Sequence, residues 1–279
     1  MKIKSLMNKV IVAVLGTCLV LSQTPELATA TENYRYHNLV TEASQQALGQ
    51  GLTARGVRPD AWQPLVDYIQ RFNQEAPADT PLASDWTSAE IGEDANDFVT
   101  FMDPKTYEER QGAYTNDLNC RRAAFLLIHD LIKAPDELAK LGLSEDAEFT
   151  DLKARHQELT DRDQQLYSLL YPAGVSYQST DDLIQAWHEA GLQFPSQLKL
   201  VSAVQNVDGA VTHFHAAVAY EKEGKVYLFE KIDPTVPYRL SEFASWADVK
   251  AHWLAHRFQV FADDIDILVN DQKIEDYIG

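Results

Sequence analysis

Cysteine is scarce in this sequence, and its scarcity limits the chemistry of the chain. Cys18 and Cys120 are the only two cysteines among 279 residues. Cys18 lies in an apolar N-terminal segment that we expect to be removed on export, which leaves Cys120 alone and excludes an intramolecular disulfide. A single thiol in an exported protein is a reactive group, the site of an intermolecular bridge or an inert buried residue.

Positive charge is also scarce. The chain has 24 Lys and Arg against 42 Asp and Glu, a formal net charge of −18. Residues 1–30 carry three Lys and one Glu, so their removal takes away a charge of +2 and leaves about −20. Nucleic acids and anionic membrane surfaces attract basic proteins, so neither is expected as a partner.

No apolar run is long enough to span a bilayer as a helix. The longest is Val10–Leu21, whereas a spanning helix needs roughly 18 residues or more. Lys2, Lys4 and Lys9 precede this run, and Ala28–Ala30 follows it with a small-x-small cleavage pattern. The pattern predicts a secretory signal peptide over 1–30 and an exported mature chain (periplasmic, cell-surface or secreted) that does not span the membrane.

A lipoprotein acylated at Cys18 is the weaker alternative. The preceding Leu15–Thr17 is a poor match to the small residues that normally approach an acylated cysteine. The following Leu19–Leu21 is apolar, where a lipoprotein normally turns polar. We therefore expect cleavage after Ala30 and no anchoring through Cys18.

Helical patterns dominate the first part of the mature chain, which has no internal repeat. His37–Leu48 and Asp60–Gln74 are predicted helices, the second with a clear apolar stripe. Residues 76–97 are acidic and loop-like, which indicates a hinge. The mature chain is therefore divided into an N-terminal helical region, 31–97, and a core, 98–279.

The core begins with helices and continues with strands. Asn119 is predicted to cap a helix that starts at Cys120 and buries one apolar face. Further helical patterns lie at 146–158, 162–170, 181–190 and 245–255. Turn residues separate three short β-type runs and predict an antiparallel meander, followed by one more strand: 198–205, 212–220, 225–232 and 266–269. Helices first and sheet later indicate an α+β fold.

Cys120, His215 and an acid on the next strand form a set that cysteine hydrolases require. A helix N-terminus lowers the pKa of a thiol, an imidazole serves as its general base, and a carboxylate orients the imidazole. Glu230 and Asp233 are the two candidates for the acid. The alternative is that Cys120 is a small apolar residue in a helix contact, since free cysteines are commonly buried and inert.

His213 and His215 are two residues apart on a predicted strand, which places both rings on one face. Three interpretations compete: His215 is catalytic, the two histidines bind a metal ion, or both are ordinary polar residues at a strand edge. The metal interpretation is the weaker because Glu221 lies too far along and no second histidine motif occurs. The other histidines are expected to be surface or packing residues: His37, His129, His156, His188, His252 and His256.

The choice of acid depends on the hairpin register. A two-residue turn at Glu223-Gly224 pairs position 215 with 232 and puts 230 on the same face. A three-residue turn brings 231 or 233 onto that face instead. A further alternative is that Glu230-Lys231 is a solvated charge pair on an edge strand.

Several short motifs resemble the signature of a bacterial exported family, domain of unknown function 4300. They are Asn119-Cys120-Arg121, His213-Phe214-His215-Ala216, and Phe229-Glu230-Lys231-Ile232 followed by Pro237-Tyr238. The resemblance spans most of the mature chain and implies that Glu230 is a better third member than Asp233. It supplies no activity. A looser likeness, through the order of the Cys helix and His strand, is to papain-like hydrolases.

These observations predict an exported cysteine hydrolase or peptidase that acts on peptide or amide bonds. The fold expected is N-terminal helices followed by a papain-like core, whose antiparallel sheet packs on the Cys-bearing helix. Cys120, His215 and Glu230 are the expected catalytic residues, and no cofactor is expected. Envelope peptides such as the peptidoglycan stem peptide are the expected substrate class. The alternatives are a non-catalytic envelope binding protein and a metal-dependent enzyme using His213 and His215.

Overall fold

The computed structural model describes residues 33–76, 78, 80–92, 117–140, 143, 146–172, 177–207, 209–257 and 265–278. The predicted signal peptide and the region boundary at residue 97 lie outside these residues and stay predictions. Within the described ranges, no helix combines the length and the apolar character needed to cross a membrane.

Helices occur before the main strands and again near the end of the chain. Their bounds are α1 Glu42–Thr53, α2 Pro59–Glu75, α3 Cys120–Ile128, α4 Ala147–Arg155, α5 Asp161–Leu170, α6 Thr180–Glu189, α7 Trp246–His252 and α8 Ile274–Ile278. A short 3₁₀ helix covers Asp136–Lys140, and a π-helical turn, Trp253–Arg257, continues α7. Polar caps start most of these helices, as Thr41 does for α1 by accepting from the Ser44 backbone N–H.

The strands form one antiparallel sheet with the order β2-β1-β6-β5-β4-β3-β7-β8. Their bounds are β1 Asn33–His37, β2 Thr87–Glu90, β3 Lys199–Val207, β4 Ala210–Lys222, β5 Lys225–Glu230, β6 Arg239–Phe243, β7 Ile265–Val269 and β8 Gln272–Lys273. The predicted α+β class and the antiparallel meander of β3, β4 and β5 are confirmed.

The N-terminal region differs from the helical prediction. Residues 33–37 form β1, so the predicted helix over His37–Leu48 is wrong at its start, and α1 begins at Glu42. The alternation that buries Tyr34 and Tyr36 is the pattern of a strand and not of a helix. β2 lies inside the stretch predicted as a loop, 76–97, and pairs with β1.

Each face of the sheet carries its own apolar core. Val218 and Tyr220 of β4 pack into the core shared with α1 to α6, whereas Ala217 and Ala219 pack into the core shared with α7 and α8. Helix α3 lies against β4 on the first face. This contact brings the start of α3 to the middle of the sheet, beside the place where β5 ends.

Two irregularities of β4 set the position of its side chains. The hairpin to β5 closes through a two-residue turn, Glu223-Gly224, in which both residues have positive φ (54° and 75°). Toward the other end, the register with β3 shifts between Ala203 and Val204. Ala203 pairs with His215 but Val204 pairs with His213, so Phe214 is the extra residue of a β-bulge.

Candidate active site

Cys120 occupies the first turn of α3, as predicted. The Asn119 side chain accepts a hydrogen bond from the Arg122 backbone N–H at 3.0 Å and so caps the helix. The N–H groups of Cys120 and Arg121 lie in the first turn, where the helix supplies no acceptor for them. Cys120 is 7 % exposed. Its sulfur is therefore largely shielded from water at the positive end of a helix dipole.

His215 lies beside this thiol. A side-chain hydrogen bond joins Cys120 to the His215 imidazole, and the backbone N–H of Ala216 also donates to the sulfur. The ring of His215 is 2 % exposed and meets the ring of Trp253 edge-on at 5.1 Å. The structure thus brings the predicted nucleophile and base together in a nearly dry environment.

Glu230 stands on the far side of the imidazole. Its Oε2 is 3.1 Å from His215 Nε2, which leaves Nδ1 of the ring as the nitrogen for the thiol. The two-residue hairpin turn produces this arrangement, because it pairs Ala217 with Glu230 and places Glu230 on the face of His215. The register on which the choice of acid depended is therefore the one that favours Glu230.

Asp233 does not approach the imidazole. Its carboxylate accepts hydrogen bonds from the backbone N–H of Thr235 at 2.9 Å and from the Thr235 hydroxyl at 2.8 Å, so it organises the turn after β5. The alternative that Glu230-Lys231 is a solvated pair is wrong, because Glu230 is 1 % and Lys231 0 % exposed. β5 is also an inner strand of the sheet and not an edge.

Arg239 completes the row of buried groups. It lies directly opposite Glu230 on β6 and donates to Glu230 Oε1 from Nη2 at 2.6 Å and from Nε at 3.1 Å. Both side chains are almost fully buried. Arg239 therefore holds one carboxylate oxygen while the other faces His215, which fixes the orientation of the carboxylate.

The pKa values of the pair are displaced in opposite directions. Burial acts to raise the pKa of the Cys120 thiol, but the hydrogen bond and charge of His215, with Arg121, bring it below its usual value. Burial acts to lower the pKa of His215, but the hydrogen bonds to Cys120 and Glu230 raise it to about 9. At neutral pH these shifts favour a thiolate beside an imidazolium, the reactive form of a cysteine nucleophile.

The charge of Glu230 supports the same state. Burial would raise the pKa of this carboxyl, but Arg239, His215 and His252 keep it below the ordinary value. Glu230 is therefore ionised at neutral pH and stabilises the imidazolium that the thiolate requires.

His213 lies on the opposite face of the sheet from His215, so the prediction that both rings share one face is wrong. The bulge at Phe214 reverses the alternation. His213 instead meets the Tyr171 ring edge-on at 5.3 Å within the other core. Burial and nearby Arg121 lower the pKa of His213 to about 3, so its ring is neutral. His213 is therefore a neutral packing residue on the face of the sheet that α3 covers.

This separation also removes the basis of the metal interpretation. Two rings on opposite faces of one sheet cannot bind the same ion. Among the described residues, no group of three or more His, Cys, Asp or Glu side chains is placed to hold a metal.

Several residues of the site were not predicted from the sequence. Arg239 and Trp253 contact Glu230 and His215, and the charge of His252 acts on Glu230. Arg239 carried one usable signal: once Glu230 is placed on the inner strand β5, its charge requires a buried cation on a neighbouring strand. No signal identified Trp253, because its contact depends on how the helix after β6 folds back over the sheet.

The arrangement can perform acyl transfer. The thiolate can attack a carbonyl carbon, and the backbone N–H groups at the start of α3 can donate hydrogen bonds to the developing oxyanion. The imidazolium of His215 can then protonate the leaving group.

Comparison with known proteins gives a family and no further relative. The family model described as "Domain of unknown function (DUF4300)" matches residues 35–274, most of the chain. No curated protein and no solved structure matches the chain.

Proposed function

We propose that this chain, which belongs to the DUF4300 family, is an exported cysteine hydrolase that cleaves peptide or amide bonds through Cys120, His215 and Glu230. The observation that carries the proposal is the continuous buried chain of contacts from the thiol through His215 and Glu230 to Arg239. A cysteine that only filled a core would need none of these ionised partners.

The proposed reaction follows from the protonation states of the pair. The Cys120 thiolate attacks the carbonyl carbon, the C–S bond forms, and the carbonyl electron pair moves onto oxygen. The tetrahedral intermediate collapses to a thioester as His215 gives its proton to the departing amine. A water then attacks the thioester while neutral His215 takes one of its protons. The C–S bond breaks, which releases the carboxylic acid and restores the Cys120 thiolate beside the His215 imidazolium.

A papain-like core and an envelope location belong to the same proposal. The described Cys helix packs against a strand that carries the base, and the acid stands on the next strand, which is the order on which the likeness to papain-like hydrolases rests. The predicted signal peptide motivates an envelope substrate such as the peptidoglycan stem peptide. We propose these peptides as the substrate class.

A second candidate is a non-catalytic envelope binding protein. The burial of Cys120 and His215, which are 7 % and 2 % exposed, favours this candidate. In that protein the thiol would be inaccessible to reagents in the folded state, whereas in a hydrolase a substrate must reach it.

Acylation separates the two candidates. We expect p-nitrophenyl acetate to acetylate Cys120 in the folded protein, as detected by intact mass and peptide mapping, and we expect muropeptides to be cleaved. A Cys120→Ser variant should show neither reaction. If the folded protein is not acetylated at Cys120 and leaves muropeptides intact, the hydrolase proposal fails and the binding protein is favoured.

Replacing Glu230 with Gln is expected to slow acetylation of Cys120 by about tenfold or more near neutral pH. The amide keeps the shape of the side chain but no longer stabilises the imidazolium, and Arg239 is left facing His215 without its carboxylate. The measurement is the rate of p-nitrophenol release under single-turnover conditions.

Asp233→Asn is the matched control, because it also converts a nearby acid to its amide. The Asp233 carboxylate forms its hydrogen bonds within its own turn, and its charge acts on Lys231. The acetylation rate should therefore stay within about twofold. An equal loss in both variants would remove Glu230 from the proposed mechanism.

A further inference from the structure

A buried ion pair joins the start of α3 to the end of β5. Lys231 Nζ donates to Asp117 Oδ2 at 2.9 Å and to the backbone carbonyl of Val236 at 2.7 Å. The Tyr238 hydroxyl donates to Asp117 Oδ1 at 2.5 Å, and the Leu118 backbone N–H donates to the same oxygen at 2.8 Å. We call Asp117, Lys231 and Tyr238 the anchor cluster.

The surroundings of the anchor cluster make it rigid. Lys231 and Asp117 have side-chain exposures of 0 % and 2 %. The ammonium lies 3.8 Å from the ring centroid of Phe72 and 4.1 Å from that of Tyr238. Burial lowers the pKa of Lys231 to about 8 in spite of Asp117. Apolar residues at these positions would often give a core of equal stability. What the charged groups add is hydrogen bonds with defined directions.

The cluster connects the two segments that carry the site. Asp117 lies just before the helix that begins with Cys120, and Lys231 directly follows Glu230. The two partners are 114 residues apart in sequence. The ion pair can therefore fix the position of the Cys120 thiol relative to the Glu230 carboxylate, which orients His215.

We infer that the anchor cluster positions Cys120 against His215 and Glu230, and that Lys231 and Tyr238 are therefore positioning residues for the reaction proposed above, on which this inference rests. Neither residue touches the substrate. They act by fixing the start of α3, because a displacement of about 1 Å in a catalytic pair can cost about a hundredfold in rate.

The thiol pKa reports this alignment directly. In a full-length Cys18→Ser background Cys120 is the only cysteine, so carbon-13 at its Cβ can be titrated by NMR without ambiguity. Tyr238→Phe removes one hydroxyl and no charge, and should raise the thiol pKa by about half a unit. Lys231→Met should raise it by about one unit, a tenfold loss of thiolate below the pKa.

A double-mutant cycle with His215→Ala distinguishes positioning from a direct effect of charge. If the cluster acts through the Cys120–His215 contact, Tyr238→Phe and Lys231→Met should cause no further shift once His215 is absent. The same shift in both backgrounds, or no shift beside intact His215, would overturn the inference.

The same titrations keep the two proposals apart. A thiol pKa that is already ordinary and unaffected by His215→Ala would defeat the proposed hydrolase and this inference with it. A lowered thiol pKa that depends on His215 but ignores the anchor cluster would defeat the inference alone. Near-UV circular dichroism checks folding, and Tyr238→Phe, the mildest change, carries the test if Lys231→Met does not fold.

Discussion

His215→Ala is expected to slow alkylation of Cys120 by iodoacetamide at least tenfold at about pH 6.5. The buried thiol loses the hydrogen bond and the positive charge that bring down its pKa. A thiol with a pKa at or above the free value of about 8.5 is at most about 1 % ionised at that pH, and the greater nucleophilicity of a more basic thiolate recovers only part of the loss. The measurement is the pseudo-first-order rate in full-length Cys18→Ser protein, followed by intact mass.

His213→Ala is the matched control for this experiment. It removes a buried imidazole two residues away on the same strand, whose ring is neutral, packs on Tyr171 and forms no hydrogen bond in the described structure. Alkylation of Cys120 should therefore keep its rate and its titration in this variant. If the alkylation rate falls equally in both variants, or if Cys120 reacts only after unfolding, the contact with His215 does not activate the Cys120 thiol.

The pH dependence follows from the direction of the two shifts. Alkylation should set in below the usual thiol pKa and then stay level, because the thiolate persists once formed. Acyl transfer needs the imidazolium as an acid, so it should fall as pH rises through about 9, the pKa of His215. The pKa of His215 in the folded protein lies above its ordinary value of 6.5. The contribution of His215 to stability is therefore complete below about pH 6.5 and is lost as pH rises through about 9.

Local patterns in the sequence predicted much of the site. The cap at Asn119, the helix that begins at Cys120 and the strand that carries His215 each depend on neighbouring residues, and all three occur in the structure. The two-residue turn at Glu223-Gly224 is one of the two registers that the sequence allows, and it determines which acid faces His215. These features were accessible because capping and turn chemistry involve few residues.

Features that depend on distant partners were not accessible. The bulge at Phe214 is a mismatch between β3 and β4, so β4 alone gave the wrong face for His213. β1 needs β6 and β2 as partners, so the sequence predicts no strand there, and its last residue, His37, falls in the predicted helix. The sequence allows Lys231 to be half of a solvated charge pair and does not single out Arg239, since only the packing of the sheet shows that both are buried.

The buried ion pair between Glu230 and Arg239 should also make a large contribution to the stability of the protein. Arg239→Met is expected to lower the free energy of unfolding by about 3–5 kcal/mol, because it leaves the buried Glu230 charge without its main partner. Glu230 has a lowered pKa in the intact protein, so its contribution is present above the ordinary carboxyl pKa and lost on acidification. The deficit of the variant should therefore be larger at about pH 7 than at about pH 4, as measured by urea unfolding.

Arg35→Met tests whether burial, and not the mere presence of an Arg–Glu pair, causes this effect. Arg35 lies directly opposite Glu242 on β6, just as Glu230 lies opposite Arg239, and its Nη2 is 2.7 Å from a Glu242 carboxylate oxygen. The Arg35 side chain is 44 % exposed, and Glu242 keeps hydrogen bonds from Lys225 and Tyr227. Its loss should cost about 1 kcal/mol or less.

The double variant Glu230→Leu/Arg239→Met separates the fold from the chemistry. Replacing a whole buried ion pair by apolar residues is often neutral for stability, so most of the free energy of unfolding should return. The thiol of Cys120 should nevertheless titrate higher than in the unaltered protein, because His215 no longer has a carboxylate at Nε2. If Arg239→Met costs no more than Arg35→Met, the buried pair does not stabilise the fold as proposed. If the double variant keeps the low thiol pKa of the unaltered protein, Glu230 does not tune the nucleophile.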